Sequence, residues 1–158
     1  MSEPASPPAP APAPVVPPVA PSAAPPAALR LPAEGPAIAD EAAAMDVIGE
    51  AFGCDTAWAV VPAARFPDEF FDLGTRIAGA IVQKFATYRV GLAIVGDISR
   101  HTARSGALRD FVREGNRGGQ LWFLADEAEF DARLAARDAA LAAARDAALT
   151  AARDAARR

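Results

Sequence analysis

The spacing of apolar positions changes character repeatedly between residues 68 and 119, and that stretch carries most of the structural information in the chain. It reads DEFFDLGTRIAGAIVQKFATYR, then VGLAIVGDISRHTARSGALRDFVREGNRGG. Phe70, Leu73, Ile77, Ile81 and Phe85 recur at steps of three and four, and Phe71, Ala78 and Val82 widen the stripe. The spacing predicts one long amphipathic helix pressed onto a sheet. Pro67 suits its first turn, and Asp68 and Glu69 complement the positive end of its dipole. Residues 90–95 (VGLAIV) have no polar side chain, as expected of a central parallel strand covered on both faces. Gly96 and Asp97 turn the chain out. Leu108, Phe111 and Val112 then form the inner face of a further helix, ended by Gly115 or Gly118.

The flanks extend the alternation. Leu29 and Leu31 alternate with polar neighbours, which predicts a short first strand. Ala33, Glu34 and Gly35 form a turn that allows a hairpin through Ala37 and Ile38. Asp40 is positioned to cap a helix whose inner face is Ala44, Val47, Ile48 and Ala51, with Gly53 as its stop. Residues 57–61 (AWAVV) form a second strand, broken by Pro62, and residues 121–124 (LWFL) form the last. Asp126 caps the final helix. Strand and helix therefore alternate four times, which predicts an α/β domain with a small, mostly parallel sheet built from βα repeats and right-handed crossovers.

Composition limits how much of the chain belongs to that domain. Thirteen of the fifteen prolines precede Ala37 in an Ala/Pro/Val tract, which predicts disorder with polyproline II character over residues 1–27. The tract lacks the basic start and continuous apolar segment of a secretory signal, and no apolar run approaches the ~20 residues of a membrane span. A cytoplasmic protein without membrane contact is expected. Residues 28–136 are enough for one modest core. Residues 137–158 repeat ARDAAL, with Arg-Asp pairs at 137–138, 145–146 and 153–154. An Ala-rich helical tail follows from this, continuous with the helix begun near Asp126. Successive pairs eight residues apart rotate by ~80°, so they line no single face, and a solvated helix is favoured over a coiled coil.

The same counts remove several chemistries. Residues 37–136 hold 15 acidic and 10 basic side chains, a net of −5, which disfavours nucleic acid as a partner. Cys54 is the only cysteine, so no intrachain disulfide or multi-thiolate metal site is available. Its neighbour Asp55 disfavours a reactive thiolate. His101 is the only histidine, which excludes His-pair metal sites. No cofactor motif is present, and neither a metal nor a cofactor is expected.

The stretches DEFFDLGTRIAGAIVQKFATYRVGLAIVGDIS and ALRDFVREGNRG resemble the bacterial domain-of-unknown-function family numbered 4180. The resemblance runs over the core from about Leu29 to Leu134 and includes neither tail. The chain departs from the family pattern at Arg76, where the pattern has Gly, at Ala80, where it has Glu, at Ala86, where it has Asn, and at Gly115, where it has Ser. The family implies a fold and no established activity. The order of elements also resembles the STAS domain of anti-sigma-factor antagonists and sulfate transporters, whose switch Ser or Thr lies where a strand meets the following helix. Residues 65–69 (RFPDE) form the comparable junction here and hold no hydroxyl, so that switch is not expected.

Two groups of residues are candidates for function. In a parallel sheet, strand C-termini and helix N-termini share one edge, where ligands bind. That edge should gather Arg65, Asp68, Glu69, Asp97, Ser99, Arg100, His101 and Thr102, with His101 a surface residue. At the opposite edge Gln83, Lys84, Tyr88, Arg89, Glu114 and Asn116 should form a polar clasp. There Lys84 or Arg89 would pair with Glu114, and Asn116 would adopt a left-handed C-cap. No nucleophile–base pair or phosphate loop accompanies either group, which favours a non-catalytic regulatory or protein-interaction module over an enzyme. Exposure of Phe66, Phe70 and Phe71 would support a protein partner. A concave pocket around Asp68, Asp97 and His101 would instead favour a small-molecule-binding protein or an enzyme using that edge.

Overall fold

The computed structural model describes residues 28–157, so the expected disorder of residues 1–27 lies outside it. Four strands, β1 (Leu29–Arg30), β2 (Trp58–Pro62), β3 (Gly91–Val95) and β4 (Leu121–Leu124), form one sheet in the order β1-β2-β3-β4. Every pairing is parallel, with Leu29 opposite Ala59, Ala59 opposite Leu92 and Leu92 opposite Leu121. The protein is α/β, as the alternation predicts. The hairpin through Ala37 and Ile38 does not form. β1 runs parallel to β2, and the segment after it is held by Arg65, whose buried guanidinium donates to the carbonyls of Pro32 and Pro36 at 3.0 and 2.9 Å. Gly35, at φ 139°, lies against that guanidinium, where a Cβ would come within 3.0 Å of it.

Sequential order with connections of one hand brings the connecting helices to a single face. The packing agrees. Ala44, Val47 and Ile48 of α1 (Glu41–Gly53), Ile81 and Phe85 of α3 (Ile77–Thr87) and Leu108 of α5 (Gly106–Arg117) all join one core. Leu29, Ala59, Val61, Leu92, Ile94, Leu121 and Phe123 of the sheet belong to it too. Trp58, Val60, Ala93, Val95, Trp122 and Leu124 point the other way, where only Phe130 and Leu134 of α6 (Glu127–Ala156) meet them. Burial on both faces is why β2 and β3 carry no charge.

Caps fall where the sequence places them: Asp40 accepts from the backbone N–H of Ala43, and Asp126 from that of Glu129. The long helix expected from Pro67 does not form as one piece. It divides into α2 (Asp68–Phe71), a 3₁₀ turn (Leu73–Thr75) and α3. The Asp72 carboxylate accepts from the N–H of Gly74, and the Thr75 hydroxyl donates to the carbonyls of Glu69 and Asp72. These local bonds compete with the helical ladder, and Arg76 at φ 62° completes the break. Phe66, Phe70 and Phe71 are all buried, so the exposed aromatic patch proposed for a partner is not there.

α6 is about 45 Å long at 1.5 Å per residue. Its last buried residue is Leu134, and every residue from 135 to 157 is exposed. Arg30 of β1 pins its first turns through Glu127, at 2.6 Å, and Asp131. Arg133 and Arg137 lie over the rings of Trp122 and Trp58, 4.7 and 5.5 Å from their centroids. Among the described residues, no helix is long and apolar enough to cross a membrane.

Candidate functional site

β2 and β3 leave the sheet side by side, and their exits build the carboxyl edge. From β2 the chain passes through the turn Ala63–Arg65 into α2. From β3 it turns at Gly96, whose φ of 130° only glycine adopts without strain, and enters the single-turn helix α4 (Ser99–Thr102). Asp97 accepts from the backbone N–H of Ser99 at 2.8 Å. Bonds from the Ser99 side chain and backbone hold its carboxyl below the usual carboxylate range. The Ser105 hydroxyl caps α5 by accepting from Leu108, and Arg109 reaches back to the carbonyl of Thr102 at 2.8 Å.

Over this frame Asp68, Arg100 and His101 converge. Arg100 Nη2 donates to Asp68 Oδ1 at 2.5 Å, and Arg100 Nε donates to His101 Nε2 at 3.1 Å. The same imidazole nitrogen lies 3.6 Å from Asp68 Oδ1. The ring stacks on Phe71, 4.3 Å between centroids at 16°. Phe71 meets Phe70 edge-on, and Phe70 packs on Phe66, so a row of rings runs from the core to the site. His101 is therefore not the surface residue expected: only 17 % of its side chain is exposed. Burial, and then the Arg100 guanidinium, push its pKa below the ordinary histidine value, against the pull of Asp68.

Two adjoining clefts, of about 530 and 630 Å³, open over this cluster and share Asp68, Phe71, Arg100 and His101. Glu69, Asp72, Arg104 and Ser105 line the first, and Asp97 lines the second. A third, of about 430 Å³, lies across the Gly96–Ile98 turn, with Ser99 and Thr102 facing Val112 and Phe123. Seven of the eight residues expected at this edge line these clefts. Arg65 does not reach the clefts, because the loop carbonyls take its donors. Phe71, Asp72, Arg104 and Ser105 also line the site, although the sequence does not place them at this edge. Asp-Leu-Gly at 72–74, a turn signal inside an apolar stripe, was the available hint.

The polar clasp at the opposite edge does not assemble as expected. Lys84 pairs with Glu41 at 2.9 Å, a bond that raises its pKa, and Glu114 pairs with Arg117 at 3.2 Å. The left-handed residue is Arg89, at φ 58°, while Asn116 is helical. The Asn116 carboxamide instead pairs with the backbone of Phe123, accepting at 2.7 Å and donating at 3.2 Å. Gln83 accepts from the Thr87 hydroxyl through its backbone carbonyl, and half-exposed Tyr88 meets Phe52 edge-on. No group of three His, Cys, Asp or Glu side chains able to hold a metal ion occurs among the described residues.

The family model described as a domain of unknown function (DUF4180) matches residues 25–134. The chain belongs to that family. In this DUF4180 domain the match ends at Leu134, where α6 makes its last buried contact with the sheet. No curated protein and no solved structure matches the chain, and the STAS-like order of elements remains a comparison of order alone.

Proposed function

We propose that this DUF4180 domain is a non-catalytic binding module for a small polar molecule held at the carboxyl edge of its sheet. The observation that carries this reading is the convergence of Asp68, Arg100 and His101, the imidazole stacked on Phe71, at a cleft of small-ligand size. The stack on buried Phe71 fixes the imidazole at the cleft wall. Arg100 and Arg104 stand beside Asp68, Glu69 and Asp72, which suits a ligand bearing charges of both signs. The hydroxyls of Thr102 and Ser105 are engaged by backbone, and His101 Nε2 faces a guanidinium and a carboxylate rather than a nucleophile. That supports binding over catalysis.

A second reading, a regulatory module that binds a protein partner, is favoured by α6 alone. Beyond Arg137, its arm of residues 138–157 carries Leu141 and Leu149 and is exposed throughout. The division into a folded unit over 28–136 and a helical tail over 137–158 belongs to this reading. One experiment separates the two. The full chain is used as bait in native lysate, beside an Asp68→Lys/Arg100→Glu variant and a chain lacking residues 138–158. A small molecule that co-purifies and is lost with the double variant supports the cleft. A stoichiometric protein lost only with the truncation supports the arm and overturns the cleft reading.

A further inference from the structure

We propose that His101 is a proton-operated selector, which decides whether Asp68 holds Arg100 or releases it into the cleft. Nε2 of His101 has two neighbours that require opposite protonation states. Arg100 Nε donates to it at 3.1 Å, and only an unprotonated nitrogen accepts that bond. Asp68 Oδ1 lies 3.6 Å from the same nitrogen, where a carboxylate attracts the protonated ring. The two contacts exclude one another as full interactions. With the ring neutral, Arg100 bridges the pair, Nε on the imidazole and Nη2 on the carboxylate. With the ring protonated, Nε2 becomes a donor, the two cations repel, and Asp68 takes the imidazolium. Arg100 is 69 % exposed and has room to swing away, while the stack on Phe71 keeps the ring in place.

The charged groups around the ring are Asp68 and Glu69 of α2, Asp72 after it, Asp97 at the β3 exit, Arg100 on the ring's own helix and Arg104 beyond. Burial and the two arginines oppose the proton and Asp68 favours it, with the balance below the ordinary histidine value. The selector therefore works on the acid side of neutrality. Its consequence for binding rests on the cleft reading above: acidification frees a guanidinium, and an anionic ligand group gains a partner as pH falls.

His101 is the only histidine, so proton NMR on the full chain reads its ring without ambiguity. The Arg100 Nε–H resonance is identified by its loss in Arg100→Gln. It is expected to move with the same midpoint as the His101 ring. Asp68→Asn should shift that midpoint to lower pH, and Arg100→Gln should shift it higher. An Arg100 signal that stays fixed while His101 titrates overturns the proposal, and so does a folded Asp68→Asn protein with an unchanged midpoint. Should Asp68→Asn not fold, co-titration of the two signals in the unmodified chain decides. No ligand enters the measurement, so its failure leaves the cleft reading standing, and a failed ligand search leaves the selector standing.

Discussion

Trp58 of β2 stacks on Trp122 of β4, 4.1 Å between ring centroids, although β3 runs between the two strands. Strands two apart are separated by almost 10 Å, so the contact requires one indole to lie across the middle strand. The residue beneath is Gly91, directly opposite Trp58 in register. A Cβ at that position would sit 2.4–2.6 Å from the indole atoms. Phe130 closes the cluster from α6, edge-on to Trp58 at 5.7 Å.

Gly91→Ala should therefore destabilise the fold by about 3 kcal/mol, the upper end of the overpacking range, because the indole has no free space to move into. Urea unfolding followed by tryptophan fluorescence measures this directly, since both tryptophans of the chain belong to the stack. A midpoint equal to that of the unmodified protein would show that the stack does not depend on the missing side chain.

Arg76 occupies left-handed backbone, φ 62° and ψ 4°, at the N-cap of α3. An L side chain there is strained by about 1–2 kcal/mol relative to glycine. Glycine adopts this region without that cost. Arg76→Gly should raise stability by about 1 kcal/mol after the added flexibility of the unfolded chain is subtracted. Chemical denaturation at neutral pH tests the sign, and a loss of stability would mean that the guanidinium makes a compensating interaction.

Asn116 occupies the outer edge of β4. In a parallel strand alternate residues face outward, and Phe123 would present its N–H and C=O to any incoming strand. The Asn116 carboxamide takes both. Asn116→Ala should cost about 1–3 kcal/mol for the two freed backbone groups. It should also promote concentration-dependent self-association, read by sedimentation velocity. Asn116→Asp keeps the acceptor and loses the donor, so it should fall between the two. Loss of stability without association would make the carboxamide a structural tie only.

The depressed pKa of His101 gives a signed pH dependence. The unfolded chain binds the proton first as pH falls, so the neutral ring's contribution is complete above about 6.5 and is lost as pH drops toward the lower folded value. His101→Phe keeps a ring on Phe71 and removes the titration. The stability difference between the two proteins should therefore shift in favour of His101→Phe between pH 7.5 and 5.5. Other titrating groups, Asp97 among them, cancel in the comparison. Parallel profiles would place the histidine in a site no different from water.

Much of the fold was legible in the sequence because burial on two faces leaves an unmistakable run of apolar residues. Residues 121–124 and 90–95 read as strands for that reason, and Asp40 and Asp126 read as caps because each precedes an apolar period by the right offset. The break between α2 and α3 was not legible. An apolar stripe at steps of three and four persists through Asp72, Gly74 and Arg76, while hydroxyl and carboxylate bonds to the backbone divide the helix beneath it. The edge cluster was legible as a set of residues but not as a geometry. Topology brings Asp68 beside Arg100 and His101, whereas the stack on Phe71 depends on where that break turns the chain. The clasp was misread because Lys84 and Glu114 belong to helices whose separation across the sheet the sequence does not encode, and Lys84 finds Glu41 of α1 instead.

α6 offers the sharpest separation between length and anchoring. Thirty residues long, it meets the sheet through Phe130 and Leu134, with Arg133 and Arg137 laid over the two indoles. Exposed alanines add helix propensity but bury no surface against the sheet, so they stabilise the helix and not the fold. Removing residues 138–158 should change unfolding stability by less than about 0.5 kcal/mol, as for surface changes away from packed features. Phe130→Ala should cost about 3–5 kcal/mol, because it opens a cavity between the helix and both tryptophans. Stability tracked by urea denaturation, with helix content by circular dichroism, separates the two effects. The truncation should lose helical signal in proportion to its length while the unfolding midpoint stays fixed. A midpoint that falls with the truncation would mean that residues beyond Arg137 contact the folded unit, and the anchoring assigned to the first turns of α6 would then be incomplete.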